Sequence, residues 1–187
     1  MTWDLTILKS LIADQVEENL KLDYKAADAL QKTDGKKKEI AKDVSAMANA
    51  AGGTIIYCMA EFNQTGKDHF PENIDPVKRN SISKEWLEQV INSNIQPKID
   101  GLVITPVPVS DDTVVYVVEI PQSTTAHQAS DKRYYKRYNF ESVAMEDYEI
   151  RDIMSRAKHP VVNLEFELIK SNKAEMDAIT GMIKPDA

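Results

Sequence analysis

One cysteine, three histidines and no long hydrophobic run: these scarcities narrow the chemistry of this chain before any motif is read. Cys58 stands alone, which excludes an intramolecular disulfide and a cysteine-based zinc site and makes a reducing, cytoplasmic setting the expectation. The apolar runs are far shorter than the roughly 20 residues of a spanning helix, so no membrane partner is expected. The opening MTWDLTILKS carries Asp4 early and lacks the basic, apolar, small-residue progression of a signal peptide. His69, His127 and His159 are scattered, with no HExxH spacing and no nucleophile motif beside them. There is no GxxxxGK[ST] loop, and Gly52-Gly53 lies between a helix and a strand, the reverse of the order a phosphate loop needs, so a nucleotide-driven ATPase is disfavoured. Positive charge is also short: 23 Lys and Arg against 30 Asp and Glu give a net charge of -7. That excludes a uniformly basic nucleic-acid surface and leaves room only for local patches.

What is present is a chain of 187 residues with ordinary globular composition, 42% hydrophobic and 28% charged, enough for one domain with a proper core. Ile40 to Met59 organises it. Ile40, Val44, Met47 and Ala51 follow helical spacing, Gly52-Gly53 ends the helix, and Thr54 to Met59 reads as a buried strand. Before it, Leu5, Leu8, Leu11, Ile12 and Val16 mark a helix from Asp4 to about Glu18. Leu20 to Lys25 alternates strictly, which predicts a half-buried strand with Lys21, Asp23 and Lys25 on the polar face. Residues 26 to 35 read as a polar connection.

After the core strand, residues 61 to 80 read as an exposed loop. A helix capped by Ser83 follows, with Trp86, Leu87, Val90 and Ile91 inward. Leu102–Val109 and Val114–Glu119 form a hairpin; Pro106 and Pro108 place its first strand at a sheet edge, and the apolar second strand is central. Arg133 to Arg137 is expected as a last strand of the core sheet, and a helix over about 145–157 is expected to pack through Tyr148, Ile150, Ile153 and Met154. Residues 1–158 are thus expected as one domain. Residues 159–187 are set apart as an interaction segment or the start of a further domain, in which Val162 to Leu168 alternates like a strand that could pair two subunits into a homo-oligomer.

Three signals in order resemble the Schlafen AlbA-type domain family: Leu22-Asp23-Tyr24-Lys25, then Ser45 to Thr54 with Asn49-Ala50-Ala51-Gly52-Gly53, then Arg133-Tyr134-Tyr135-Lys136-Arg137-Tyr138-Asn139. The resemblance covers roughly residues 15 to 157. Asp23 replaces the family's glutamate, Asn139 its glycine, and Cys58 stands where many relatives have glycine. The fold implied is α+β, an α/β sandwich with a mixed, largely antiparallel sheet and helices packed on it.

The resemblance also implies an acidic ribonuclease site which, carried over by position, is Glu18, Asp23 and Glu61. Three such carboxylates could hold Mg²⁺ or Mn²⁺. For binding DNA or RNA, the candidates are Lys21, Lys25, Lys36, Lys37, Lys38, Arg133, Tyr135, Lys136 and Arg137: the cations for phosphate and the tyrosine for stacking on a base. Read singly, each charge cluster is a solvated surface. Asn49, Gly52 and Gly53 are expected as a structural turn, with Asn49 hydrogen-bonded inside it. The leading expectation is a nucleic-acid-binding module with a regulatory role, as in a transcriptional regulator. A metal-dependent ribonuclease and a protein-interaction module are the alternatives.

Overall fold

Thr33 begins the element on which the domain is assembled: its hydroxyl oxygen accepts the Lys36 N–H at 3.3 Å and caps α2 (Asp34–Asn49). The computed structural model describes residues 2–156. Ahead of α2 lie α1 (Leu5–Ala13), β1 (Leu22–Lys25) and a short 3₁₀ turn, Ala27–Leu30. After it come β2 (Gly53–Tyr57), β3 (Met59–Glu61), β4 (Pro71–Ile74), β5 (Val77–Lys78) and α3 (Lys84–Asn94). β6 (Ile95–Gln96), β7 (Val103–Pro108), β8 (Thr113–Ile120), β9 (Gln128–Ala129), β10 (Tyr135–Tyr138), β11 (Glu141–Ala144) and α4 (Asp147–Ser155) complete the order. The class is α+β, as the sequence indicates.

The main sheet is mixed. β1 runs parallel to β2, β2 antiparallel to β8, and β8 pairs β7 on its other side, with β5 continuing along β8 beyond the end of β2. β8 is buried from Val114 to Val118 because strands flank both its edges. β7, with its two prolines, pairs only β8 among the described residues, and so forms the expected edge. α2 packs against α3, the main sheet and the β10–β11 hairpin. Ile40, Ala41, Val44 and the whole run Ser45 to Asn49 are buried there, so its C-terminal half is enclosed on all sides.

The Gly-Gly turn is imposed by close approach. Gly52 has φ +69°, and a Cβ there would lie 2.6 Å from the Gln122 nitrogen and 2.7 Å from the Ile120 oxygen. A Cβ on Gly53 would lie 2.7 Å from the Lys21 oxygen. The chain entering β1 and the chain leaving β8 therefore press on the turn from two directions. Cys58 and Asn139, at positions the resemblance gives to glycine, both have positive φ, 72° and 51°.

Several local expectations are corrected. Helix α1 stops at Ala13, because Gln15 turns left-handed at φ 47°. Asp23 is not on an exposed polar face: it is fully buried, as is Tyr24, while Leu20 is exposed. Residues 61–80 are not one loop, since β4 pairs β3 and β5 joins the main sheet. The strand after Arg133 does not enter the core sheet; β10 pairs β11 in a separate two-stranded ribbon. Of the α4 contacts named above, only Ile153 is buried, and Tyr148 and Met154 are exposed. The boundary at 158/159 and the 162–168 segment lie outside the described residues.

Gly52→Ala should destabilise the domain by more than about 2 kcal/mol, since left-handed strain adds to backbone overlap. Gly35→Ala, in α2 with nothing within 4 Å of the new Cβ, should be neutral or stabilising by up to about 1 kcal/mol. Urea denaturation of both variants checks the pair.

Candidate functional site

The buried charged residues Glu18, Asp23 and Arg137 converge where β1, the start of β4 and β10 meet. Glu18 is fixed first: its N–H donates to the His69 carbonyl at 2.9 Å, and its Oε1 accepts the Tyr24 N–H at 2.6 Å. Asp23, in β1, has Oδ2 2.7 Å from Lys25 Nζ and Oδ1 2.8 Å from Arg137 Nη2. Arg137 comes from β10 and is itself buried, with Nη2 3.8 Å from Glu18 Oε2. His69 Nδ1 lies 3.4 Å from the same Glu18 oxygen. Glu61 ends β3, half-buried. Glu18, Glu61 and His69 each offer one ligand atom, and these atoms all lie within 4.8 Å of one another.

Beside this cluster is an open cleft of about 570 Å³, lined by Lys25, Lys36, Asp43, Tyr57, Glu61, Arg137 and Phe140 among others. Asp43 reaches it from α2, where its Oδ1 accepts the Ser142 hydroxyl at 2.8 Å. The buried Tyr57 hydroxyl has no hydrogen-bond partner among the described residues, nor does Arg137 Nε. The Asp23 oxygens lie at ion-pair distance from their cations but out of line for hydrogen bonds, so charge rather than directional bonding holds them. Buried polar groups left in this state are rare and need a reason.

Burial is the main force on the acids. It pushes Glu18 up to about 9, with the neighbouring Asp23 charge adding to the rise. Burial likewise raises Glu61 and Asp43 from their ordinary values. For Lys25, burial opposes the charge, but Asp23 and Asp43 together outweigh it and raise the pKa. At neutral pH Glu18 therefore holds a proton, and the Asp23 carboxylate is matched by two cations.

The fold brings Glu18, Asp23 and Glu61 into one neighbourhood, yet the grouping able to hold a cation is Glu18, Glu61 and His69. Asp23 is occupied by Lys25 and Arg137. The basic candidates scatter. Lys25 and Arg137 turn into the acids; Lys36 pairs with Asp28 at 2.9 Å and Glu39 at 3.5 Å, and Lys37 with Asp34 at 3.0 Å. Lys136 pairs with Glu149. Lys21, Lys38 and Arg133 are exposed and make no ion pair among the described residues. Tyr135 is buried, with its hydroxyl donating to Asp131, so its ring offers no face for a base.

Asn49 is bonded, but across the fold rather than within its own turn: it donates to the carbonyls of His127 and Tyr135 and accepts the His127 N–H at 2.7 Å. Sequence reading missed His69, Tyr57 and Asp43. Asp43 alone left a signal, since it falls between Ile40 and Val44 and so flanks the apolar side of α2.

A carboxyl whose folded pKa lies above its unfolded value stabilises the fold below the unfolded pKa and loses that contribution as pH rises through the folded one. For Glu18 the window runs from the ordinary glutamate value, 4.5, to about 9. Glu18→Gln, which keeps an acceptor for Tyr24 and mimics the protonated acid, should flatten the fall in stability across this window by up to about 1.4 kcal/mol per pH unit. Denaturation midpoints at several pH values measure it. Arg137→Met should cost about 3–5 kcal/mol near neutral pH, because it strands Asp23 beside Lys25 alone; the same denaturation series reports it.

Among known proteins, the family model described as Schlafen, AlbA_2 matches residues 18–146. No curated protein matches the chain. The fold is similar to the crystal structure of the DIP2311 protein from Corynebacterium diphtheriae, at TM-score 0.50 and 16% identity, over 81% of this chain and 28% of that one. The chain thus spans less than a third of the length of that protein. It is also similar, at TM-score 0.45 and 18% identity, to the N-terminal domain of a putative ATP-dependent DNA helicase RecG-related protein from Nitrosomonas europaea, over 63% of this chain and 72% of that one. With the family model covering well over half of its length, the chain belongs to the Schlafen AlbA_2 family.

Proposed function

We propose that this domain binds a nucleic-acid strand at the cleft between β1, α2 and the β10–β11 hairpin, and cleaves its phosphodiester with a divalent cation held by Glu18, Glu61 and His69. The observation that carries the reading is the approach of those three ligand atoms to within 4.8 Å. Two carboxylates and an imidazole suit Mn²⁺ better than the oxygen-preferring Mg²⁺, and family membership favours metal-dependent chemistry. A cation there would supply neutralisation of phosphate charge and a bound water of lowered pKa. The chain's own residues would do the rest. Arg137 and Tyr57 border the cleft, with the unpartnered Arg137 Nε and Tyr57 hydroxyl buried in its wall. Glu18, protonated at rest, would release its proton on taking up the ion.

A second reading, binding without cleavage, is favoured by one specific observation. Lys25 and Arg137 already neutralise Asp23, as in a structural ion-pair network. A DNA- or RNA-binding regulatory role belongs to this second reading.

Labelled RNA and DNA incubated with the protein in Mn²⁺ or in EDTA separate the two. Cleavage in Mn²⁺ only, lost in Glu61→Gln with an unchanged melting midpoint, is the expected result. Glu61 is the better mutant than the wholly buried Asp23, whose loss would leave Arg137 unpaired. Intact but retarded nucleic acid, released as salt rises, would replace cleavage with binding. Neither cleavage nor retardation would overturn both readings and leave a protein-interaction role.

A further inference from the structure

Phe140 is an aromatic side chain with no place in the core. It belongs neither to the buried cluster nor to the partly buried residues packed against it, and it lines the cleft. It follows Asn139, whose left-handed φ of 51° turns the chain between β10 and β11. Its ring stacks on His69, with centroids 3.9 Å apart and planes 14° from parallel. His69 Nδ1 lies 3.4 Å from Glu18 Oε2, and its Nε2 lies 3.9 Å from Asp68 Oδ2. One face of Phe140 is therefore covered by a histidine of the candidate ion cluster.

We propose that the remaining face of Phe140 is a stacking platform for a single unpaired nucleobase, and that the cleft accordingly takes single-stranded rather than duplex nucleic acid. The inference rests on the reading of the cleft as a nucleic-acid site and adds the substrate class. Bases in a duplex are stacked on one another and show only their edges, so a ring face can be met only by an unpaired or extruded base. The charges around the cleft do not discriminate by themselves: Lys36 shares its wall with Asp28 and Glu39, both of which it contacts. Stacking supplies an attraction independent of those charges and tolerant of base identity. Phe140 and Glu61 line the same cleft, so a base on that face would lie in the cleft that one of the candidate ligands borders.

Fluorescence anisotropy with the full chain tests this, using a labelled mixed-sequence DNA oligonucleotide, its blunt duplex and the same strand made abasic, each in EDTA and in Ca²⁺. The intact single strand should bind more tightly than the duplex or the abasic strand. Phe140→Leu should weaken single-strand binding roughly five- to a hundredfold, while Phe140→Trp retains it. Equal binding of intact and abasic strands, or an undiminished Phe140→Leu variant, would overturn the platform and leave the nucleic-acid reading standing. No binding of any probe by the unaltered protein would overturn both. Should Phe140→Leu fail to fold by circular dichroism, the abasic comparison on the unaltered protein decides the matter alone.

Discussion

The contact on which the site depends is the Asp23 carboxylate set between Lys25 and Arg137. A carboxylate with no solvent exposure is tolerated only when its charge is matched, because unmatched burial costs several kcal/mol. Here one cation comes from the same strand and the other from β10, more than a hundred residues away. The β10–β11 ribbon makes no ladder with the main sheet, so this ion pair and the packing on α2 are what hold it against β1. Asn49 works at the opposite end of the same strand, donating to the Tyr135 carbonyl at 2.8 Å while it also binds the backbone of His127. β10 is thus pinned by a polar contact near each end, and the cleft is the space left beside it.

That arrangement explains what was legible in the sequence. Backbone requirements are local, so the Gly52-Gly53 turn, the Ser83 cap and the left-handed Asn139 could be read from single residues. The prolines of β7 gave its edge position by the same logic, and β8 gave its central position by being apolar throughout. The alternation of Leu22 to Lys25 misled because a two-residue period assumes one wet face. The β10–β11 ribbon covers that face, and an acid that should have been solvated becomes the most deeply buried charge in the domain. Tyr135 misled for the same reason, since strand residues that look exposed are enclosed once the ribbon packs on α2. His69 could not have been read at all: it reaches Glu18 through a backbone hydrogen bond across some fifty residues of chain, with no motif around it.

Three acids raised by burial in one region do not serve stability. Each binds a proton more tightly in the fold than out of it, so each makes the folded state less favourable as pH rises. Apolar residues of similar volume would generally hold such a position as well or better. Keeping Glu18, Glu61 and Asp43 around an open cleft, next to the unpartnered donors of Tyr57 and Arg137, is a departure from what packing alone would select. Departures of this type concentrate at functional sites, and of these residues Glu18, Glu61 and Arg137 are ones the family resemblance marks, while Asp43 and Tyr57 are not.

The placement of the cations then limits how any nucleic acid could be held. Lys25 and Arg137 are directed inward to Asp23, Lys36 and Lys37 are matched by acids on their own surface, and Lys136 is tied to α4 through Glu149. With a net charge of -7 over the chain, little broad electrostatic attraction remains for a polyanion. Affinity at the proposed cleft would have to come from short-range terms: a ring face for a base, and an ion shared between phosphate and carboxylates. Short-range terms fall away within a few ångströms, so they favour a strand that can bend into the cleft over a rigid duplex lying across its mouth. On the proposed reading, flexibility of the bound strand, rather than its charge, would decide what this surface accepts.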